Sequence, residues 1–492
     1  MKKTISGVLL ALAATFALVA CGKKKTTTAA KGETTKAKTT EKKTTKEHKR
    51  RGQANVINFY CWNSEFQERV NACYPNVKGV DGAKTNLKSG QVIIWSATPN
   101  QGSAYQDALD LGLENDMVDM YVFEADFATK YVKSEYAIEM SKFNVDQTKQ
   151  YKYTRDIVTN GEGKLVGSSW QATPGVIIYN QNVAKAVYGD TVTYEDMDAK
   201  LSKDFKTFAA TAKEVKDANK DKFTLTGPAD WFRAYSNSVK TKMYDGTSIT
   251  VAKELFQWAK DTKDFVTAGY IHGVEDGYAL WGGDWAAQQG QDNDLCIFSV
   301  PWFSDFCLTG NRAPQYETEE DSKKGYVAAK DSGLRVVAGY QSWFWGGTWL
   351  TATPVSQQET TIKDEVGNII KEMTTNKEVL LGISSKYADF TNNEEAMDQL
   401  GADTTYINGY FGGKNVFSIY AKAVKSADLS GASDFDQQIN ENIQSAFMLW
   451  FQGTKTAEEA WKQFVSDVET KTSKKVAMAE GVTISGNAIT IA

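Results

Sequence analysis

After residue 54 the apolar positions switch repeatedly between the two-residue period of strands and the 3.6-residue period of helices. Val56-Ile57-Asn58-Phe59-Tyr60 predicts a short strand, and Phe66, Val70 and Cys73 follow at helical spacing. Further strands are predicted at Val92-Ile93-Ile94-Trp95, at Val118 to Phe123, and at Val176-Ile177-Ile178-Tyr179 after the turn-prone Thr173-Pro174-Gly175. Leu295 to Phe298 is apolar enough for a buried strand, and Pro301 ends it because proline cannot donate to the ladder. Helices dominate the middle and the end. Val251, Leu255, Trp258, Ala259, Thr262 and Val266 share one face, and Ala457, Ala460, Trp461, Phe464 and Val465 repeat the pattern. Alternating strands and helices predict an α/β fold. No solenoid repeat and no Pro- or Gly-rich linker divides the body, so a two-domain chain of this kind would cross between domains more than once.

The first 53 residues follow a different logic. Lys2 and Lys3 precede an apolar run from Gly7 to Ala20, shorter than the about 20 residues that span a bilayer, so residues 1–20 are predicted as a signal peptide. The run ends in Leu18-Val19-Ala20-Cys21, which resembles the bacterial lipobox and implies that Cys21 receives a diacylglyceryl group. Ordinary cleavage after Ala20 is the alternative. Residues 21–53 then form a tether of Lys and Thr, too poor in apolar side chains to offset its ordering entropy, and are expected to be disordered. Between Lys23 and Arg51 twelve Lys and Arg face three Glu, a net of +9. With +2 in the leader and −5 overall, the body after Gly52 carries −16. Anionic headgroups would attract the basic segment; it reads equally well as a solvated spacer. An acidic body argues against nucleic acid as a partner.

The body has room for at least two domains. The chain has two histidines, His48 in the tether and His272 in the body, which excludes a multi-His metal site and leaves nucleophilic triads only around His272. No metal or cofactor is implied. Cys61 with Cys73 and Cys296 with Cys307 are spaced for pairing in an exported protein. Cys73 shares a helical face with Phe66 and Val70, and Cys296 lies in an apolar run, which favours unpaired core thiols.

Several segments, in order, resemble the family 1 extracellular solute-binding proteins, the carbohydrate-binding group that includes the maltose-binding protein. They are Trp62-Asn63-Ser64-Glu65 after the first strand, Asp119 to Glu124, Lys164 to Trp170, Val176 to Asn180, Leu295 to Trp302, and Trp345-Gly346-Gly347-Thr348-Trp349-Leu350. The likeness runs from about Asn55 to Val468 and departs from the family pattern at Val300 and at Ser169-Trp170. It implies a two-lobed, periplasmic-binding-protein-like (type II) fold with discontinuous lobes and a ligand cleft between them. Residues 54–171 plus 341–387 are expected as lobe 1, and 172–340 plus 388–492 as lobe 2, with crossovers near Gln171 to Pro174, Arg335 to Gln341 and Tyr387 to Asn392. The implied role is that of a membrane-anchored, extracytoplasmic, monomeric substrate-binding lipoprotein, not an enzyme, that delivers carbohydrate to the permease of an ABC importer.

A sugar has an apolar C–H face that packs on an indole and a rim of hydroxyls that needs paired donors and acceptors. Trp62, Trp231 and Trp302 are the first stacking candidates, and Asn63, Glu65, Asp126, Gln171 and Arg233 the polar ones. Trp345 joins them; it and Trp343 alternate on one predicted strand, which aims both the same way. Core packing is the rival reading for each Trp. Paired carboxylates admit a surface glycoside hydrolase as a second reading, and the same fold with a non-sugar solute as a third.

Overall fold

The structure is a computed structural model that describes residues 48–274, 292–299 and 313–492. Cys21, Trp302 and Cys307 lie outside the described residues. The strand Val56–Cys61 buries Ile57, Phe59 and Cys61 on one face and leaves Val56, Asn58 and Tyr60 half-buried on the other. It pairs in parallel with Val92–Ala97 and with Met120–Phe123, whose four side chains are all buried. Among the described residues the first sheet has seven strands and is completed by the hairpin Val77–Asp81/Lys84–Leu87 on one side and by Trp349–Ala352 and Ser168–Ser169, both antiparallel additions, on the other. Sequence reading missed the hairpin, because only Thr85 and Leu87 of it are buried.

Among the described residues the second sheet runs in the order Leu334–Val337, Val176–Asn180, Asp294–Ser299, Phe223–Leu225. Its central strand Val176–Asn180 is buried throughout because both faces are covered. Val176 and Ile178 join the apolar cluster that also holds the first sheet, whereas Ile177 and Tyr179 join a second cluster built with the helices Lys253–Thr267, Asp436–Phe451 and Ala457–Thr472. The two-residue period of one strand thus divides the two cores. Buried residues between Ala388 and Leu429 belong to the first cluster; from Ile439 onward they join the second.

The chain passes from the first sheet to the second between Ser169 and Val176 and returns between Val337 and Trp349. These two segments and a third, around Phe390, lie side by side. Ala172 N–H donates to the Phe390 carbonyl (3.0 Å), Asn392 N–H to Trp170 (2.9 Å), Gly175 N–H to Trp343 (2.7 Å) and Trp345 N–H to Thr173 (3.0 Å). Gly175 is required here: a Cβ would fall 1.8 Å from the Trp343 indole nitrogen. Trp343 and Trp345 do not share a regular strand, contrary to expectation. Trp343 is buried in the second core, and Trp345 is half-buried.

Residues 48–53, counted with the tether in the sequence, are part of the described structure, and His48 and Arg50 are held against the body. His48 Nδ1 lies 2.7 Å from Asp116 Oδ1, and the Arg50 guanidinium pairs with both oxygens of Asp119 at 2.6 and 2.9 Å. A charge-assisted two-point pair offsets the ordering cost that composition alone left unmet. Cys61 and Cys73 are both free thiols, the first buried. No described helix is long and apolar enough to cross a membrane.

Candidate functional site

Strand ends and helix starts from both halves of the body converge on one carboxylate. Where the strand Met120–Phe123 ends, Glu124 and the short 3-10 turn Ala125–Phe127 carry two acidic side chains into the space between the halves. Opposite stand Arg233, in the short helix Phe232–Ser236, and Asn440, in the first turns of Asp436–Phe451; the neighbours Phe232, Ala234 and Ile439 anchor these helices in the second core. Arg233 donates from both terminal nitrogens to the two oxygens of Asp126, each at 2.7 Å. Its guanidinium also lies 5.0 Å from the centre of the Trp345 ring, within cation–π range. Asn440 Nδ2 makes a longer contact, 3.4 Å, to Asp126 Oδ2.

Carboxyl groups outnumber the guanidinium. Glu124 accepts the Asp126 N–H at 3.2 Å through one oxygen, and no described residue donates to its other oxygen. Burial first, and Asp126 beside it, push its carboxyl up to about 8. Asp436 is raised to about 7 by burial, against the pull of its bonds from Ser433. Burial also raises Glu441, the residue after Asn440. Burial opposes the charge on Arg233, but Asp126 more than offsets it and holds the guanidinium above its ordinary value. A cavity of about 40 Å³ lies here, lined by Asp126, Arg233, Asn237, Phe344, Asp436 and Asn440. It has room for a few waters and not for a sugar ring. A second contact, Thr129 Oγ1 and Lys133 Nζ to Asp434 at 2.6 and 2.7 Å, closes the same seam farther along.

Of the residues picked out in the sequence, Asp126, Arg233 and Trp345 meet at this point. Trp62 is half-buried beside it, edge-on to Tyr105 (5.5 Å) and to Phe127 (6.3 Å), the neighbour of Asp126. Glu65 and Gln171 pair with each other instead, Gln171 Nε2 donating to Glu65 Oε1 at 2.6 Å, and Asn63 caps the Glu65 N–H at 3.0 Å. That pair sits against the crossing segments, next to the buried Arg69–Asp389 ion pair (2.9 Å). Burial pushes Glu65 up to about 8, although Arg69 pulls it down.

Trp231 is corrected: it is a core residue. It is fully buried, donates its indole N–H to Thr262 at 3.0 Å and packs 4.7 Å from Phe265, so neither ring face is open to a ligand. Its neighbour Arg233 took the position at the cleft, because the short helix turns one side chain inward and the other out. Glu124, Asp436 and Asn440 were not singled out. Glu124 had a signal, an acidic residue at a strand end two positions before Asp126; Asn440 had none, since its partner lies 314 residues away.

No family model matches the chain, and no curated protein matches it by sequence. Solved structures do match. One described as an extracellular solute-binding protein family 1 superposes with a TM-score of 0.62 at 17% identity, covering 84% of this chain and 99% of that one. The binding protein of an ABC transporter from B. animalis subsp. lactis, in complex with beta-1,6-galactobiose, matches at 0.59 and 13% identity over 86% and 100%. An ABC substrate-binding protein from Listeria monocytogenes, in complex with cycloalternan, matches at 0.57 and 13% over 85% and 99%. The chain has the two-lobed α/β fold of the family 1 extracellular solute-binding proteins.

Proposed function

We propose that this protein is the lipid-anchored, extracytoplasmic substrate-binding component of an ABC importer, and that it captures an oligosaccharide in the cleft between its lobes. One observation carries the reading. Asp126 and Glu124 from the first sheet, Arg233 and Asn440 from the second lobe, and the half-buried indole of Trp345 meet at a single point between the lobes. A planar apolar ring beside fork-shaped charged groups matches the two surfaces of a sugar, and charged partners roughly double hydrogen-bond strength. Proteins of the same fold are described in complex with beta-1,6-galactobiose and with cycloalternan, which supports a carbohydrate cargo.

The roles follow from position. Trp345, against whose ring Arg233 packs, and Trp62 supply the aromatic surface, and Asp126, Glu124, Arg233 and Asn440 pair with hydroxyls. Glu65, Gln171 and Asn63 act at one remove, by fixing the crossing segments about which the lobes turn. The closed cavity is too small for a sugar, so the Asp126–Arg233 pair opens to admit one and the ligand's contacts to both lobes favour reclosure. Cys21 carries the lipid.

Calorimetric titration of the full-length protein with starch- and plant-derived oligosaccharides tests the reading. Saturable binding with the sugar recovered intact is expected. Cleaved product accumulating with active protein would make it a hydrolase; saturable binding of a peptide alone would change the cargo.

A further inference from the structure

The polar atoms around the cavity are unevenly matched. Arg233, the one cation among its lining residues, has both terminal nitrogens committed to Asp126. Asp126 and Asp436 line the cavity with it, and Glu124 and Glu441, the latter also facing Lys471, lie in electrostatic reach of Arg233 and Asp126. The atoms that no described residue hydrogen-bonds are Glu124 Oε1, Asn440 Oδ1 and the hydroxyl of Ser236. The first two only accept while Glu124 is ionised, and the hydroxyl accepts as readily as it donates. Glu124 and Asn440 are at least nine-tenths buried, at 9% and 5% exposure, so an unmet acceptor there is costly.

A plain hydroxyl brings a donor and two acceptor lone pairs, and its acceptors would find few donors here. An ammonium group brings three donors and no acceptor. It also brings a positive charge, against which Glu124 and Asp436, raised to about 8 and 7, can ionise beside Asp126. Trp345 already holds one cation against its face at 5.0 Å. We propose that the captured sugar is an amino sugar, whose protonated amine is held by Glu124 Oε1 and Asn440 Oδ1 beside Trp345. This rests on the carbohydrate reading above.

A proton should move with the ligand. Burial and Asp126 keep the Glu124 carboxyl protonated near neutrality, up to about 8. The charged groups that face it are Asp126 on its own turn, Arg233 on the short helix and Glu441 on the C-terminal helix. A bound ammonium favours the carboxylate, so Glu124 loses its proton to solvent as the complex forms.

The test compares three matched probes on the full-length protein: a β-linked glucosamine oligomer, its N-acetylated form and the corresponding glucose oligomer. Calorimetry at pH 7 in two buffers of different ionisation enthalpy reads affinity and proton release together. The amine form is expected to bind at least tenfold tighter than the other two, the yield of one charge-assisted bond, with net release of protons. Glu124→Gln, which keeps the shape of the protonated side chain, should abolish most of that preference and the proton release. Asn440→Asp, a second variant, should strengthen the preference. If the N-acetylated or glucose oligomer binds as tightly as the amine, the inference falls and the carbohydrate reading stands. If none of the three binds, the inference falls, and the titration with starch- and plant-derived oligosaccharides alone decides the carbohydrate reading.

Discussion

Asp126 and Arg233, 107 residues apart, meet through two parallel hydrogen bonds of 2.7 Å and so join the end of a first-sheet strand to a helix of the second lobe. Two-point pairing fixes direction as well as distance, which a single lysine contact would not. The pair therefore ties the first sheet to the helices of the second core. Arg233→Ala leaves a nearly buried carboxylate without its partner and should cost about 3–5 kcal/mol in urea unfolding. Asp126→Asn in the same background should recover much of that loss. A fall below 1 kcal/mol for the single variant would mean the pair is solvated and ties nothing.

The three crossing segments run side by side, and Gly175 is their tightest point, with the Trp343 ring where a side chain would begin. Gly175→Ala should destabilise the protein by about 1–3 kcal/mol, as overpacking does. Gly382→Ala, where a Cβ meets nothing within 4 Å, is the matched control and should leave the melting temperature unchanged or raised. Equal effects at the two positions would contradict this geometry.

Glu65 and Glu124 are buried carboxyls held near 8, against an ordinary 4.5. In the window from about 4.5 to 8 the folded protein keeps these protons and the unfolded chain does not. Stability is therefore full below that window and falls as pH rises through it, by roughly 1.4 kcal/mol per pH unit for each proton. Glu65→Gln should flatten the slope of melting temperature against pH between 5 and 8. An unchanged slope would show that Glu65 is ionised in the folded protein.

Cys21→Ser should release the protein from the membrane fraction or block its processing. Membrane retention equal to the wild type would remove Cys21 as the anchor.

Sheet strands were legible where their pattern was one of burial: Val56–Cys61, Val92–Ala97 and Val176–Asn180 lie within a residue or two of the runs that predicted them. The exposed hairpin Val77–Asp81/Lys84–Leu87 was not, because few of its side chains reach a core. In the site, Asp126, Arg233 and Trp345 were found because the resemblance to the solute-binding family places their segments where strands and loops enter the cleft. Asn440 was invisible, since nothing local marks a helical asparagine whose contact is long-range. Trp231 misled for the converse reason. A tryptophan before a charged residue looks the same whether the ring faces ligand or core, and only the packing of Phe205, Phe208 and Phe265 around it decides. Trp231→Ala should accordingly cost about 3–5 kcal/mol of stability, with ligand affinity intact in the folded fraction. A large loss of affinity at full stability would return Trp231 to the site.

The most direct test of sugar capture at this junction is the affinity of the Trp345→Ala protein for whichever oligosaccharide binds the wild type most tightly. Trp345 is half-buried, so its removal should lower the melting temperature less than removal of a fully buried tryptophan such as Trp231. Affinity should fall by about 30-fold or more, the mark of a hot-spot aromatic. Unchanged affinity in a stably folded variant would contradict the account and place the sugar elsewhere.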